Sequence, residues 1–151
     1  MKELTTFDSI LDFAIEEEQK AVDFYSDLAK HSSSNEMREV FEEFAQEEVK
    51  HKMKLMEVKE TGITNMPPEN VADLKIADYV VNAKASPNMS YQEALLVAMN
   101  KEKAAFRLYT SLSERAYDPG LKALFASLAQ EESKHKLRFE VEYDEYVLRE
   151  N

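Results

Sequence analysis

The stretch AQEEVKHK runs from Ala45 to Lys52, and AQEESKHK runs from Ala129 to Lys136, 84 residues further on. Seven of the eight letters agree. At the same offset, with no gap, Ala14 answers to Ala98, Glu18 to Glu102, Ala21 to Ala105 and Tyr25 to Tyr109. Leu28 answers to Leu112, Phe41 to Phe125, Glu48 to Glu132 and His51 to His135. One unit is therefore used twice, over about residues 10–60 and 94–144.

Each unit reads as two helices. In the first, Ile10, Leu11, Ala14, Ala21, Phe24, Tyr25 and Leu28 recur at spacings of three, four and seven, the period of a helix with one apolar face. That predicts helix one from about Thr6 to Lys30. HSSSN (His31 to Asn35) interrupts it, with Ser34 or Asn35 able to cap the next start. Helix two follows from about Glu36 to Glu60, and Gly62 stands just past its end, where a left-handed residue belongs. A connection of about 28 residues, Gly62 to Met89, comes next. In it NMPPEN is irregular, VADLKIADYVV has the periodicity of a short helix, and ASPN breaks again. SYQE (Ser90 to Glu93) has capping-box spacing and opens helix three, which runs to about Arg115. Asp118 and Pro119 supply a cap and a first-turn proline for helix four, reaching about Leu148. Short turns within each half and a long connection between them predict an all-α four-helix bundle: two antiparallel hairpins joined by a crossover between helices two and three. Residues 1–151 are read as a single domain.

Composition narrows the function. Only 2 Gly and 4 Pro leave little material for β-turns, and there is no cysteine for disulfides, zinc knuckles or thiolate-held clusters. The net charge of −11 argues against nucleic acid, whose phosphates need a basic face. The N-terminal MKELTTFDSI lacks the apolar core of a signal peptide, and no apolar run approaches the roughly 20 residues of a membrane span. The expectation is a soluble, cytoplasmic protein without a membrane or nucleic-acid partner.

The polar residues of the repeat then stand out by position. Glu18 and Glu48 are equidistant from the first turn, and Glu102 and Glu132 from the second, so each antiparallel hairpin offers two carboxylates at one height. His51 follows Glu48 by three residues and His135 follows Glu132 by three, which keeps each pair on one helix face. That face is apolar: Ala14, Ala21, Tyr25 and Leu28 flank Glu18, and Phe41, Phe44 and Leu55 flank Glu48 at helical spacing. Four carboxylates and two imidazoles therefore converge inside a hydrophobic bundle. Each buried charge costs several kcal/mol without compensation, and two divalent cations would balance four carboxylates. Hard oxygen ligands with imidazole suit iron or manganese. One Glu from each of two helices and Glu-x-x-His from each of the other two is the known ligand pattern of dimetal carboxylate bundles. The candidate metal ligands are Glu18, Glu48, His51, Glu102, Glu132 and His135. A single Glu-x-x-His means little in a chain with 22 Glu; the doubled, height-matched set carries the inference. Glu47 and Glu131 also repeat, but they lie a 100° turn away and read as rim charges in salt bridges. His31 has no Glu three residues before it and reads as a cation at a helix end. Tyr25 and Tyr109, two turns from Glu18 and Glu102 on the same stripe, read as phenols donating to ligand carboxylates across the bundle.

EQKAVDFY with EEVKH, then EKAAFRLY with EESKH, resemble the rubrerythrin branch of the ferritin-like superfamily over about Ile10 to Glu145. The resemblance implies a non-haem di-iron centre. In it Glu48 and Glu132 would bridge two iron ions, Glu18 with His51 would complete one, and Glu102 with His135 the other. Tyr25 would hydrogen-bond toward Glu102, and Tyr109 toward Glu18. Two departures stand out. The chain lacks the cysteine-rich rubredoxin domain of rubrerythrins proper. It also has Lys103, Ala104, Ala105 and Phe106 where that family has a further carboxylate, so its six-ligand set looks more like that of bacterioferritin.

Three functions follow. The first is an oxidoreductase that oxidises iron(II) with hydrogen peroxide or dioxygen and draws electrons from an external donor such as a rubredoxin. The second is an iron-binding or storage-type protein without turnover. The third is a bundle whose function is protein interaction and whose metal is only a staple, taking zinc as readily as iron. Apolar residues along the end of helix four, Phe139, Val141, Tyr143, Tyr146 and Val147, lead to the expectation of a homodimer.

Overall fold

The computed structural model describes residues 6–62, 66–81 and 89–150. Four long helices carry the fold: α1 (Phe7–Lys30), α2 (Asn35–Thr61), α4 (Tyr91–Arg115) and α5 (Pro119–Glu150), with a one-turn helix α3 (Pro68–Val71) in the crossover. No strand occurs among the described residues. None of the helices is long and apolar enough to cross a membrane.

The helix ends obey local chemistry. Thr6 caps α1 through a reciprocal box with Ser9. Ser34 caps α2 by accepting from the Met37 amide. Ser90 caps α4 by accepting from the Glu93 amide, and Asp118 accepts from the Leu121 amide at 2.8 Å beside Pro119. Gly62 closes α2 at φ 62°, a conformation open to glycine without a Cβ penalty. His31 sits exposed at the end of α1, its Nδ1 3.0 Å from the Asp27 carbonyl, where a donor meets an unpaired helical carbonyl.

The crossover departs from the sequence expectation. Instead of one short helix over Val71–Val81, the chain makes α3 and then a separate 3₁₀ turn at Ile76–Tyr79. Part of the supposedly irregular NMPPEN is helical, because Pro68 is at home in a first turn. Tertiary contacts hold this segment. Arg115 donates to the Asn70 carbonyl and to Asp73, and Asn70 donates back to the Arg115 carbonyl. Val71 and Leu74 are buried in the core. ASPN lies outside the described residues.

The closest backbone approaches join α1 to α2 and α4 to α5. Between the hairpins, contacts run α1 to α4 and α2 to α5, each antiparallel. Two apolar layers fill the bundle. Phe7, Leu11, Leu55, Leu112 and Phe125 belong to one, and Phe24, Leu28, Phe41, Leu95 and Phe139 to the other. Burying each such side chain contributes about 1.5–3 kcal/mol. Along every long helix, the candidate site residues fall between the two layers.

The apolar end of helix four is mostly taken up within the chain. Phe139 is fully buried, Tyr143 packs against the second layer, and Tyr146 meets the Tyr91 ring edge-on at 5.0 Å. Val141 and Leu148 remain exposed. The surface that suggested a homodimer is therefore smaller than the sequence implies.

One buried carboxylate, Glu142, belongs to neither the repeat nor the site. It accepts from Ser33 at 2.9 Å and from Tyr91 at 2.8 Å, tying the α1–α2 turn and the start of α4 to α5. Arg149 lies 3.7 Å away but is largely exposed and adds little. Glu142→Ala removes the shared acceptor of an exposed Ser33 and a half-buried Tyr91, which water can partly replace, and should cost about 1 kcal/mol. Urea unfolding would read this as a lower midpoint with an unchanged slope. A midpoint within error of wild type would remove the clasp from the account.

Candidate metal centre

Glu18, Glu48, His51, Glu102, Glu132 and His135 all converge, and none is more than 2% exposed. Helical periodicity on the apolar stripe brings them there, one carboxylate from each long helix and one imidazole from each of α2 and α5. Their ligating atoms form two overlapping groups: Glu18, Glu48, His51 and Glu132, and Glu48, Glu102, Glu132 and His135. Within each group the atoms lie within 4.8 Å of one another. Glu48 and Glu132 are common to both.

The surrounding bonds are doubled in the same way as the sequence. Tyr109 donates to Glu18 Oε1 at 2.5 Å, and its repeat partner Tyr25 donates to Glu102 Oε1. His51 Nε2 pairs with Glu131 at 2.7 Å, and His135 Nε2 pairs with Glu47. Glu47 and Glu131 are thus rim charges in ion pairs, as their position suggests, but their partners are the site histidines of the opposite hairpin. The sequence reading missed this. The signal available was their exact repetition beside the site glutamates. A carboxylate on Nε2 fixes the ring and leaves Nδ1 facing the centre. Phe44 stacks on His135 at 4.0 Å between ring centroids, closing the α2–α5 side further.

Among the described residues, six buried polar atoms have no hydrogen-bond partner: Glu18 Oε2, Glu48 Oε1, His51 Nδ1, Glu102 Oε2, Glu132 Oε1 and His135 Nδ1. There is one from each of the six residues. Buried polar atoms are seldom left unpaired, and six aimed at one place fit a metal-binding set. His51 Nδ1 lies 3.1 Å from Glu48 Oε1 and 3.0 Å from Glu132 Oε1, yet no hydrogen bond is aligned. That geometry suits lone pairs directed at shared cations better than a proton shared between the groups. Oxygen and imidazole donors, without sulfur, suit borderline-hard divalent ions.

The metal-free electrostatics are correspondingly strained. Burial, then the Glu48 charge, pushes Glu18 up to about 8. Burial and neighbouring carboxylates also raise Glu102 and, further, Glu132. Glu48 goes the other way: burial opposes its charge, but His135 and His51 outweigh it and hold the carboxyl well below its usual range. Burial would lower the histidines, yet the facing carboxylates raise His51 to about 10 and His135 to about 11. Burial, then Glu102 for Tyr25 and Glu18 for Tyr109, lifts both phenols well above their ordinary value, so they remain hydrogen-bond donors. Protons balance the cluster when no cation does.

A four-helix bundle with carboxylates from four helices and imidazoles from two, doubled about its centre, defines a ferritin-like carboxylate protein. The family model described as Rubrerythrin matches residues 9–143, and the chain belongs to that family. Among solved structures it is similar to a ferritin-like diiron-carboxylate protein of Thermotoga maritima, with a TM-score of 0.79 and 20% identity, covering 97% of this chain and 99% of that one. It is also similar to a hypothetical protein of Pyrococcus furiosus, with a TM-score of 0.74 and 23% identity, covering 92% and 89%. At these identities the likeness shows the fold. No curated protein matches the chain.

Proposed function

We propose that the protein is a di-iron oxidoreductase that oxidises iron(II) with hydrogen peroxide or dioxygen and is re-reduced by a separate donor. The observation that carries this reading is the set of six orphaned donor atoms, one from each residue, between two apolar layers. Family membership supports iron as the metal. Glu48 and Glu132 would serve both ion positions, Glu18 with His51 would hold one ion, and Glu102 with His135 the other. Two iron(II) ions held there would supply one electron each, which with two protons reduce hydrogen peroxide to two waters.

The chain's own part is positional. Tyr25 and Tyr109 hold one oxygen of Glu102 and Glu18 and leave the other free. Glu47 and Glu131 orient the imidazoles. The apolar layers keep bulk water from both ends, so charge in the site is weakly screened. None of the 151 residues is a cysteine, so no thiolate-held iron within them can relay electrons, and the donor we propose lies outside these residues, such as a rubredoxin. A second reading, iron oxidation without turnover, is favoured by Ala104 and Ala105 standing where rubrerythrins carry a further carboxylate.

One experiment separates these readings. Protein loaded anaerobically with two iron(II) per chain is mixed with peroxide. The expected result is a single fast oxidation that stops, then resumes when a reduced rubredoxin is added. A single event that no donor restarts supports the second reading. No oxidation at all would remove both and leave a structural metal.

A further inference from the structure

Among the described residues, the two sides of the cluster differ. On the α2–α5 side, the His51–Glu131 and His135–Glu47 pairs and the stacked Phe44 ring stand across the way in. On the α1–α4 side, a cavity of about 30 Å³ reaches the site. All four site glutamates line it, and neither histidine does. Ala14, Ala21, Ala104 and Ala105 line it beside the bulkier Phe13 and Leu108. Ala105 is among the residues that replace the further carboxylate, and its missing bulk leaves room. Toward the surface the cavity is bounded by Glu17 and Lys101, which occupy equivalent places in the two repeats, and by Tyr79 from the 3₁₀ turn. The Arg107 guanidinium lies over the Tyr79 ring at 5.8 Å, which holds the ring against α4. Ile76 and Tyr79 also pack on the core.

We infer that the oxidant reaches the carboxylates through the gap between α1 and α4, and that Tyr79 sets the size of what enters. The inference rests on the oxidative function proposed above. Roughly 10–15 Å³ of such volume admits one water, so the cavity holds about two water-sized groups. That is the size of hydrogen peroxide or dioxygen. An alkyl hydroperoxide has to displace the Tyr79 ring. The crossover is thus part of the site, contributing a specificity-determining residue without touching a ligand.

The test uses the full chain loaded with iron(II) and compares hydrogen peroxide with tert-butyl hydroperoxide. Tyr79→Ala should raise the rate with the bulky oxidant relative to the small one by about tenfold. Ala105→Leu, or the smaller Ala105→Val if the leucine variant misfolds, should slow oxidation by hydrogen peroxide several-fold. Val40→Phe, which fills the groove on the α2–α5 side, should change neither rate. An unchanged oxidant ratio in Tyr79→Ala, or slowing by Val40→Phe and not by Ala105→Leu, would overturn the route. Azide entering cobalt(II)-loaded protein gives a second readout, through the visible spectrum, that requires no oxidation. Its entry should slow in Ala105→Leu and not in Val40→Phe. Absence of azide binding in the wild-type protein counts against an open route. Failure of wild-type oxidation alone counts only against the proposed function.

Discussion

Glu48→Ala and Glu132→Ala should each strip the protein of nearly all bound metal, and to the same degree. Each residue belongs to both four-residue groups at the centre, so each substitution removes a donor from both ion positions at once. Glu18→Ala or Glu102→Ala removes a donor from one group only and should leave a partly loaded site. Glu47→Ala and Glu131→Ala should lose about 10–100-fold in affinity, because they release a histidine ring and do not delete a ligand. Elemental analysis after gel filtration and manganese(II) titration would rank the variants. Loss of metal must be separated from loss of fold. Burial and its neighbours favour the neutral form of Glu132 in the metal-free protein, so its deletion relieves little repulsion and leaves a cavity; far-ultraviolet circular dichroism of the metal-free Glu132→Ala protein should still match metal-free wild type. Equal affinities for the Glu47 and Glu48 variants would mean that the assignment of the two adjacent residues is wrong.

The second large effect is on stability and depends on pH. Glu18, His51 and His135 bind protons more tightly in the folded chain than in the unfolded one, with values of about 8, 10 and 11 in place of 4.5, 6.5 and 6.5. A fold that binds the extra protons loses stability as they leave. The metal-free protein should therefore weaken as pH rises from about 4.5, the ordinary value of Glu18, to about 11, the folded value of His135. Glu48 pulls in the opposite direction, but only below its ordinary range, and does not alter this slope. Cations must displace the same protons, so they bind more tightly as pH rises. At a hundredfold excess over the dissociation constant they add about 2.7 kcal/mol. Melting temperatures with and without manganese(II) should thus diverge with pH. A constant gap would show that no protons are exchanged for metal.

Much of this site is legible in the sequence for a physical reason. A helix repeats every 3.6 residues, so placing Glu18 or Glu132 among alanines, phenylalanines and leucines fixes which way it points. The doubled cassette then supplies a second, consistent reading of each position. What could not be read depends on which helices face each other across the bundle. Glu131 meets His51 through the α2–α5 packing, which neither hairpin specifies alone. Glu142 has Val58 as its repeat partner, so the repeat is silent about it, and its role appears only where α5 passes the Ser33 turn. The crossover broke into two short pieces because so few residues cannot hold a helix by themselves. Docking by Arg115, Val71 and Leu74 decides their shape.

The polar layer between the two apolar ones also bears on how the molecule comes apart. Hydrophobic contact normally makes a small bundle unfold as one body, but here it is interrupted at the waist by six ionisable groups. Without cations, the helices and the tyrosine–glutamate and histidine–glutamate bonds at the waist are what transmit the collapse of one end to the other. With cations bound, both ends share a set of bonds that fails only when all four helices separate. Calorimetry of the same samples should show a broad or double transition for the metal-free protein and one sharp transition for the loaded one. The metal then acts as the element that makes two half-cores cooperative.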